Sequence, residues 1–330
     1  LLDEFHERSL EVDLALGMLH RVRSTFRPEL KLVVMSATLE PEPIVRFLGD
    51  AEAIESQGRS YPVEIEYTDT VVRDDYDQHI ASHLPGLMQR SEGHVLVFLP
   101  GVGEIRRVHR ALDRHGLGDR AKVLELYGDL SPKDQDLVLR DSSERKIILS
   151  TNVAETSVTI PGVGAVIDTG TARVLQFDAS VGLPKLQLEP ISQASAEQRA
   201  GRAGRTAHGC CLRLWPQGVQ RSRRKSDLPE VSRSDLSAAV LTLASWGERN
   251  VEAFPWITFP NKDAVSKATT LLQRLDAIDP NGSLTHVGKL MSRLPLTPRL
   301  ARFMVEARLR GIEDDASIAA ALLSERDPFR

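Results

Sequence analysis

Apolar residues in the first 70 positions follow two periods, one typical of helices and the other of strands. Residues 10–23 carry Leu or Val at helical spacing, and residues 41–47 begin with a proline, which favours a first helical turn. Residues 31–35 form a continuous apolar run, as in a buried parallel strand, whereas residues 63–67 alternate. The pattern predicts helix, strand, helix and strand in chain order.

A second alternating series follows a helix predicted over residues 79–89. Strands are predicted over residues 94–99, 122–127, 146–150 and 163–168, and helices over residues 102–115 and 132–140. Strands that alternate with helices are typical of a doubly wound α/β sheet. The two series therefore predict two α/β lobes, with a boundary between residues 70 and 90.

The alternation stops at about residue 173, and the pattern becomes mainly helical after residue 227. Residues 173–191 predict a β-hairpin, followed by a short helix over 195–205 and a strand over 210–214. Further helices are predicted over residues 235–246, 263–275, 287–294 and 298–310, with a turn at Asn281-Gly282. Helices interrupted by such a turn are compatible with a winged helix.

The composition limits the class of protein. Hydrophobic residues make up 41% of the 330 residues, enough for ordinary cores. The formal net charge is −4, so any nucleic-acid site depends on local charge. The two cysteines, Cys210 and Cys211, are adjacent, which excludes a disulfide framework and Cys-x-x-Cys metal patterns. The longest apolar runs are strand-sized, so we expect no membrane segment.

Two short motifs follow predicted strands near the start of the chain. Asp3 and Glu4 follow two leucines that resemble a strand end, where one acid can hold Mg²⁺ and the next can orient an attacking water. Two adjacent acids alone are more often solvated surface residues. Ser36-Ala37-Thr38 ends the strand over residues 31–35, and its hydroxyls either link two lobes or simply cap a loop.

The segment QRAGRAGR at residues 198–205 is more specific. Arg199, Arg202 and Arg205 are three positions apart, so a helix presents them on one side. Guanidinium groups fork onto phosphate oxygens, and Gly201 and Gly204 allow a phosphate or a backbone to come close. Residues 199–225 contain eight basic residues and no acid, which favours a phosphate ligand, although a solvated loop explains residues 221–225 equally well.

Residues 151–160 form a hydroxyl-rich loop after the strand over 146–150. Thr and Ser side chains at the carboxyl end of a strand can bind a sugar–phosphate backbone without reading bases. The alternative is that they cap a short helix.

Five motifs in this order resemble those of the DEAH-box ATP-dependent helicases, and the chain closely resembles their bacterial HrpB-type branch. They are residues 3–8, residues 36–38, residues 96–101, residues 151–160 and residues 198–205. The resemblance implies two RecA-like lobes with ATP between them, then a winged helix and a helical bundle. On this basis we predict the end of the first lobe at 1–75, the second lobe at 76–226, the winged helix at 227–292 and the start of the bundle at 293–330.

The resemblance also implies roles for individual residues. Asp3 would hold Mg²⁺, Glu4 would orient the attacking water, and both would contact ATP and the metal. His6 would couple to Gln198, while Gln198, Arg202 and Arg205 would reach the ATP phosphates. Ser36 and Thr38 would couple hydrolysis to lobe movement. The residues expected to touch the RNA backbone are Gly128, Thr151, Ser157 and Thr159. The hairpin over residues 173–191 would guide or separate strands.

The chain departs from the family pattern in several places. No G-x-x-x-x-G-K-[ST] phosphate loop occurs, Pro161 stands where many relatives have Asp, and Leu139 stands where they have an aromatic residue. We interpret the chain as an internal fragment, without the terminal OB-fold, and the missing phosphate loop predicts that it is inactive in ATP hydrolysis alone. The complete protein is expected to be a cytoplasmic enzyme that binds ATP, Mg²⁺ and RNA, with DNA left open as a ligand.

Two other functions are weighed against the helicase. A non-catalytic module that binds nucleic acid or docks a partner would use degenerate lobes as a scaffold. A dinucleotide-dependent oxidoreductase has support only from Gly101-Val-Gly103, which lacks the third glycine of the fingerprint.

Overall fold

The computed structural model describes residues 1–37, 41–49, 51–56, 61–156, 158–178 and 183–324. The chain forms two compact units. The first comprises Leu1–Ala53, Phe177–Leu183 and Leu228–Arg330, and the second comprises Ile54–Gln176 and Pro184–Asp227. In the described residues, no helix is both long enough and apolar enough to cross a membrane.

The second unit is built on a parallel sheet. Its strands are β1 (Val63–Tyr67), β2 (His94–Phe98), β3 (Lys122–Leu126), β4 (Lys146–Ser150), β5 (Val163–Asp168) and, after the two strands of a separate small sheet, β8 (Gly209–Arg213). The order of these six strands across the described part of the sheet is β1-β8-β5-β2-β4-β3, and all neighbouring pairs are parallel. This arrangement places the carboxyl ends of all six strands at one edge.

The core of the second unit lies on both faces of this sheet. The central strand β2 is completely buried, and its alternate residues enter two different clusters because side chains of a strand point to opposite faces. Val95 and Val97 pack with helices α3 (Tyr76–Arg90) and α4 (Val102–Arg114). Leu96 and Phe98 pack on the other side, in a cluster that includes Val138 of α5 (Pro132–Leu139) and Ala200 of α6 (Gln193–Gly201). The last helix of this unit is α7 (Gln217–Ser222).

Two predictions for the first 75 residues need correction. Strand β1 pairs in parallel with β8, so it belongs to the sheet of the second unit and not to the first lobe. The boundary predicted at residue 75 is therefore too late, and the compact units divide between Ala53 and Ile54. Residues 31–35 were predicted to be a strand, but they do not form one in the described structure. Val34 makes an isolated parallel bridge with Leu2 instead.

The first unit is mainly helical in its described residues. Its helices are α1 (Leu10–Thr25), α2 (Glu42–Leu48), α8 (Ser237–Trp246), α9 (Lys262–Arg274), α10 (His286–Met291), α11 (Pro298–Arg310) and α12 (Glu313–Ser324). Leu10 and Leu14 of α1 pack in one core with residues of α8 to α11, such as Leu272. The beginning of the chain and the segment after residue 227 thus share a hydrophobic core.

Two turns follow the sequence prediction. Gly282 has a φ of 78°, a value that glycine adopts freely, and an antiparallel bridge joins Ile278 and Leu284 on either side of it. Strands β6 (Thr171–Asp178) and β7 (Leu183–Pro190) form a separate two-stranded sheet, as expected for the hairpin. The four residues between them lie outside the described residues.

Candidate functional site

The acidic box, residues 3–6, lies in the first unit beside residues 33–35. The amide of Leu2 donates to Val33 (2.8 Å), and the amide of Phe5 donates to Met35 (3.0 Å). Phe5 is buried in a small core with Leu16. The box is thus anchored by one buried aromatic side chain and by backbone hydrogen bonds.

The two acids of the box face solvent, whereas the side chain of His6 is largely enclosed. Oδ1 of Asp3 accepts a hydrogen bond from the amide of Glu4 (2.8 Å), and Glu4 adopts a left-handed backbone with φ 50°. Nδ1 of His6 lies 3.4 Å from Oε2 of Glu4. Neither ring nitrogen of His6 makes a hydrogen bond within the described part of the chain. The structure therefore brings Glu4 and His6 together and leaves the carboxylates accessible.

The serine expected to couple hydrolysis to movement follows Met35 directly. The hydroxyl of Ser36 is buried and has no hydrogen-bond partner among the described residues. Thr38, the second residue of this pair, lies outside the described residues.

The hydroxyl-rich loop begins at the carboxyl end of β4. Thr151 donates its amide to Leu126 of the neighbouring strand (3.1 Å), and a short 3₁₀ helix, Asn152–Ala154, follows. Thr159 is exposed, whereas Ser157 lies outside the described residues. Gly128 is exposed in the turn after β3, the strand next to β4. Gly128 and Thr151 therefore lie at the same edge of the sheet.

The segment with three arginines forms α6 and a 3₁₀ turn, Arg202–Gly204. The side chain of Ser192 caps α6 by accepting from the amide of Ser195 (3.1 Å). Gln198 is partly exposed, Arg199 and Arg202 are buried, and Arg205 is exposed. The expectation that the arginines lie on one side is confirmed, since all three contact the loop of residues 151–160.

Arg199 is the most enclosed cation of this segment. Its Nε donates to Oε2 of Glu155 (2.8 Å), and its Nη1 donates to Oδ1 of Asp168 (2.9 Å). The guanidinium carbon also lies 4.8 Å from the centre of the Phe98 ring. Burial alone lowers the pKa of Arg199, but the charges of Asp168 and Glu155 outweigh it and raise the pKa above its ordinary value.

Arg202 and Arg205 bind the same loop through different groups. Nη1 of Arg202 donates to the carbonyl of Val158 (2.7 Å), and its Nη2 donates to the carbonyl of Glu155. Nη1 of Arg205 donates to Oγ1 of Thr159 (3.0 Å). The side chains expected to reach ATP phosphates and the loop expected to touch RNA are thus directly hydrogen-bonded to each other.

The basic side chains after residue 205 are less available to a phosphate ligand than the sequence indicates. Arg213 is buried and donates to the hydroxyl of Tyr67 (2.8 Å). Arg223 packs 4.2 Å from the centre of the Trp215 ring and donates to the carbonyl of Gly170 (2.9 Å). Cationic side chains in this run therefore serve in part to hold the fold, and the solvated-loop interpretation applies to exposed positions such as 221 and 225.

Glu155 and Asp168 were not singled out from the sequence, although each had a local signal. Glu155 is an acid within a hydroxyl-rich loop, and Asp168 ends the apolar strand β5. Buried acids are stable when a cation neutralises them. The carboxylate of Glu155 also accepts from the hydroxyl of Ser195, so it joins the start of α6 to the loop.

The oxygen donors of the acidic box fit a divalent cation. Mg²⁺ prefers one or two carboxylates, with the rest of its ligands taken from water and phosphate oxygens. Asp3 and Glu4 offer two exposed carboxylates of this kind. Within the described residues no group of three or more His, Cys, Asp or Glu side chains could hold a metal, so a cation here would need other ligands as well.

Two protein-family models match parts of the chain. The helicase conserved C-terminal domain matches residues 77–207, which include β2 to β5 and α6. Residues 77–207 are thus similar to a helicase C-terminal domain. The helicase associated domain (HA2), a winged helix, matches residues 268–296. The RecA-like fold and the winged helix are thereby confirmed.

Curated relatives match almost the whole chain. The ATP-dependent RNA helicase HrpA of Escherichia coli (strain K12) is 40% identical over 99% of the chain and 26% of its own length. The ATP-dependent RNA helicase HrpB of the same organism is 39% identical over 98% of the chain and 40% of its own length. The resemblance to DEAH-box helicases of the HrpB type is confirmed, although the chain spans less than half of either relative.

Solved structures are also similar to almost the whole chain. A crystal structure of the E. coli DExH-box NTPase HrpB matches with a TM-score of 0.87 at 38% identity, over 98% of this chain and 40% of that one. A structure of the Escherichia coli DEAH/RHA helicase HrpB matches with a TM-score of 0.89 at 38% identity, over 98% of this chain and 41% of that one.

Proposed function

We propose that the complete protein is an ATP-dependent RNA helicase or translocase, which couples ATP hydrolysis to movement along RNA or to its unwinding. The relatives named as ATP-dependent RNA helicases support this assignment. One structural observation carries it further: the guanidinium of Arg202 donates to the carbonyls of Glu155 and Val158. A residue assigned to ATP therefore binds a loop assigned to RNA, as coupling between the two ligands requires.

The assignment gives the described residues separate tasks. Asp3 and Glu4 would hold Mg²⁺, and Glu4 would also orient the attacking water, for which its exposed carboxylate is suited. Bound Mg²⁺ would neutralise phosphate charge. His6 lies beside Glu4 and couples to Gln198, while Arg202 and Arg205 stabilise the charge that develops on the phosphates. Ser36 and Thr38 couple hydrolysis to movement.

The nucleic acid is held by the hydroxyl-rich loop. Gly128, Thr151, Ser157 and Thr159 contact the RNA backbone, and contacts of this kind carry no base information. DNA is a second candidate ligand, because backbone contacts do not always probe the 2′-hydroxyl. The hairpin of β6 and β7 guides or separates the strands.

The 330 residues should not hydrolyse ATP without further sequence. They contain no G-x-x-x-x-G-K-[ST] motif, so they lack the backbone and lysine that hold the triphosphate. We expect no measurable ATPase activity from this chain, whereas the complete gene product should be active.

The test is the RNA-stimulated ATPase activity of the complete gene product. Glu4→Gln should lower kcat at least 100-fold, because the amide cannot accept a proton from water (about 10²–10⁴ for a general base). Glu11→Gln is the matched control, since Glu11 is an exposed carboxylate in the first turn of α1. Unchanged turnover in Glu4→Gln contradicts the role of Glu4. RNA binding by a wild-type protein without ATPase activity would instead favour the non-catalytic module.

A further inference from the structure

Arg8, just after the acidic box, has an unusual backbone conformation. Its φ is 48°, in the left-handed region that residues with a Cβ seldom occupy. Glu4 at the other end of the 3₁₀ turn Phe5–Glu7 is also left-handed. A non-glycine residue keeps such a conformation only where its surroundings hold it there. The contacts around Arg8 therefore determine the shape of the box.

The side chain of Arg8 binds two residues that are far from each other in the sequence. Its Nε and Nη2 each lie 2.9 Å from one carboxylate oxygen of Asp13, which gives a bidentate pair. Nη2 also donates to Oγ1 of Thr258 (2.8 Å). The carboxylate of Asp13 is fully buried, so this guanidinium neutralises it.

Glu230 holds the backbone at Arg8 and just after it. Its amide donates to the carbonyl of Arg8 (3.0 Å), and its Oε2 accepts from the amide of Leu10 (2.9 Å). Arg8, Asp13, Glu230 and Thr258 form what we call the box anchor. All four residues belong to the first compact unit.

The box is therefore fixed at both ends. Residues 33–35 hold it before Phe5, and the box anchor holds it after Glu7. The amide of Arg8 donates to Phe5 (3.1 Å), and the Arg8 guanidinium lies 5.4 Å from the centre of the Phe5 ring. A substitution at residue 258 can thus alter the positions of the Asp3 and Glu4 carboxylates through a short series of contacts.

We propose that Arg8 is a positioning residue, and that Thr258 and Glu230, which follow the second lobe in the chain, set through it the geometry in which Asp3 and Glu4 receive Mg²⁺. The inference rests on the proposed function and deepens it. It makes the segment after residue 227 a control element of the hydrolytic site.

The first test uses this chain and needs no enzymatic activity. Thr258→Val keeps the shape of the side chain and removes the oxygen that accepts from Arg8, whereas Thr258→Ser keeps the oxygen. Hydrogen exchange of the amides of Glu7 and Arg8 should accelerate roughly tenfold in Thr258→Val, the effect of losing one hydrogen bond to a charged group. Thr258→Ser should exchange like the wild type, and amides of β4 should be unchanged in both variants.

The second test measures the Mg²⁺ dependence of ATP hydrolysis by the complete gene product at saturating ATP. Misplaced carboxylates should raise the Mg²⁺ concentration for half-maximal activity several-fold in Thr258→Val and leave it unchanged in Thr258→Ser. A simple loss of folded protein would lower the maximal rate without moving this midpoint. The midpoint therefore separates positioning from stability.

Unchanged exchange in Thr258→Val overturns the box anchor. Faster exchange with an unchanged Mg²⁺ midpoint makes the anchor purely structural and overturns its positioning role. A wild-type gene product without ATPase activity overturns the proposed function and the role of the anchor in it. Faster exchange together with a raised midpoint, both restored in Thr258→Ser, supports the inference.

Discussion

Nη1 of Arg199 lies 2.9 Å from Oδ1 of Asp168, and both side chains are at least 99% buried. The pair connects α6 to the end of β5. Glu155 accepts a hydrogen bond from the same guanidinium and thereby connects the hydroxyl-rich loop to it. A buried charge is costly unless it is neutralised, so these three residues depend on one another. Arg199 therefore has a structural task next to Arg202 and Arg205, which we assign to ATP.

Arg199→Met should destabilise the second unit strongly. It leaves the carboxylates of Asp168 and Glu155 buried without their cation, a change that costs about 3–5 kcal/mol of unfolding free energy. Urea denaturation followed by circular dichroism measures the difference. Arg205→Met is the control, because Arg205 is exposed and its loss should change stability by less than about 0.5 kcal/mol. Equal stability of the two variants would contradict the structural role of Arg199.

His94 should make stability depend on pH near neutrality. Burial, together with the nearby charge of Lys146, lowers the pKa of His94 below its ordinary value of 6.5. Its Nδ1 accepts from the amide of Lys146 (3.3 Å), so the folded state holds the ring neutral. The unfolded chain binds the proton first as the pH falls. The contribution of neutral His94 to stability is thus complete above pH 6.5. It is lost as the pH falls from 6.5 to the lower pKa that His94 has in the folded state.

The measurement for His94 is the unfolding free energy from pH 8 to pH 5. The wild type should lose stability relative to His94→Asn below pH 6.5, by up to about 1.4 kcal/mol for each pH unit within this window. Asn can keep an acceptor for the amide but does not titrate. A constant difference between the two proteins over this range would show that His94 has an unshifted pKa.

The two glycines of the arginine segment should respond differently to alanine. A Cβ at Gly204 would lie 2.5 Å from the carbonyl oxygen of Tyr61, so Gly204→Ala should cost about 1–3 kcal/mol through strain. A Cβ at Gly201 meets no described atom within 4 Å, so Gly201→Ala should gain roughly 0.5–1 kcal/mol because alanine favours the helix. Thermal unfolding of the two variants measures this contrast.

Gly201→Ala also tests the assignment of this segment to ATP. If a phosphate approaches the open side of Gly201, the added methyl group should lower the ATPase activity of the complete gene product while the fold becomes more stable. Full activity in this variant would mean that the phosphate binds elsewhere.

Thr159 should link RNA affinity to the arginine segment. Its hydroxyl accepts from Arg205 and faces solvent, so Thr159→Val removes both this hydrogen bond and a group for the RNA backbone. Affinity for single-stranded RNA should fall about fivefold, as one net hydrogen bond of about 1 kcal/mol predicts. Thr159→Ser should bind like the wild type in a fluorescence anisotropy titration at fixed salt. Equal affinity of Thr159→Val and the wild type would remove Thr159 from the RNA site.

Much of the local structure follows from short-range patterns. Strands β4 and β5 and helix α11 begin and end at the predicted residues, because their apolar periods and flanking turn residues are distinct. The family motifs were also visible, since their chemistry requires particular residue types at fixed spacing. These features depend on neighbours within about ten positions along the chain.

Pairing and burial needed the folded chain. Strand β1 lies beside β8, about 146 positions later, and nothing within residues 63–67 specifies that partner. The basic run likewise looked like one phosphate-binding patch, yet Arg199, Arg213 and Arg223 are enclosed by acids, carbonyls and aromatic rings. The residue types and the helicase motifs can be recognised in the sequence alone. The neutralisation of charges in the protein interior depends on long-range contacts, which form only when distant segments pack together. The contact between Thr258 and Arg8 depends on such packing as well.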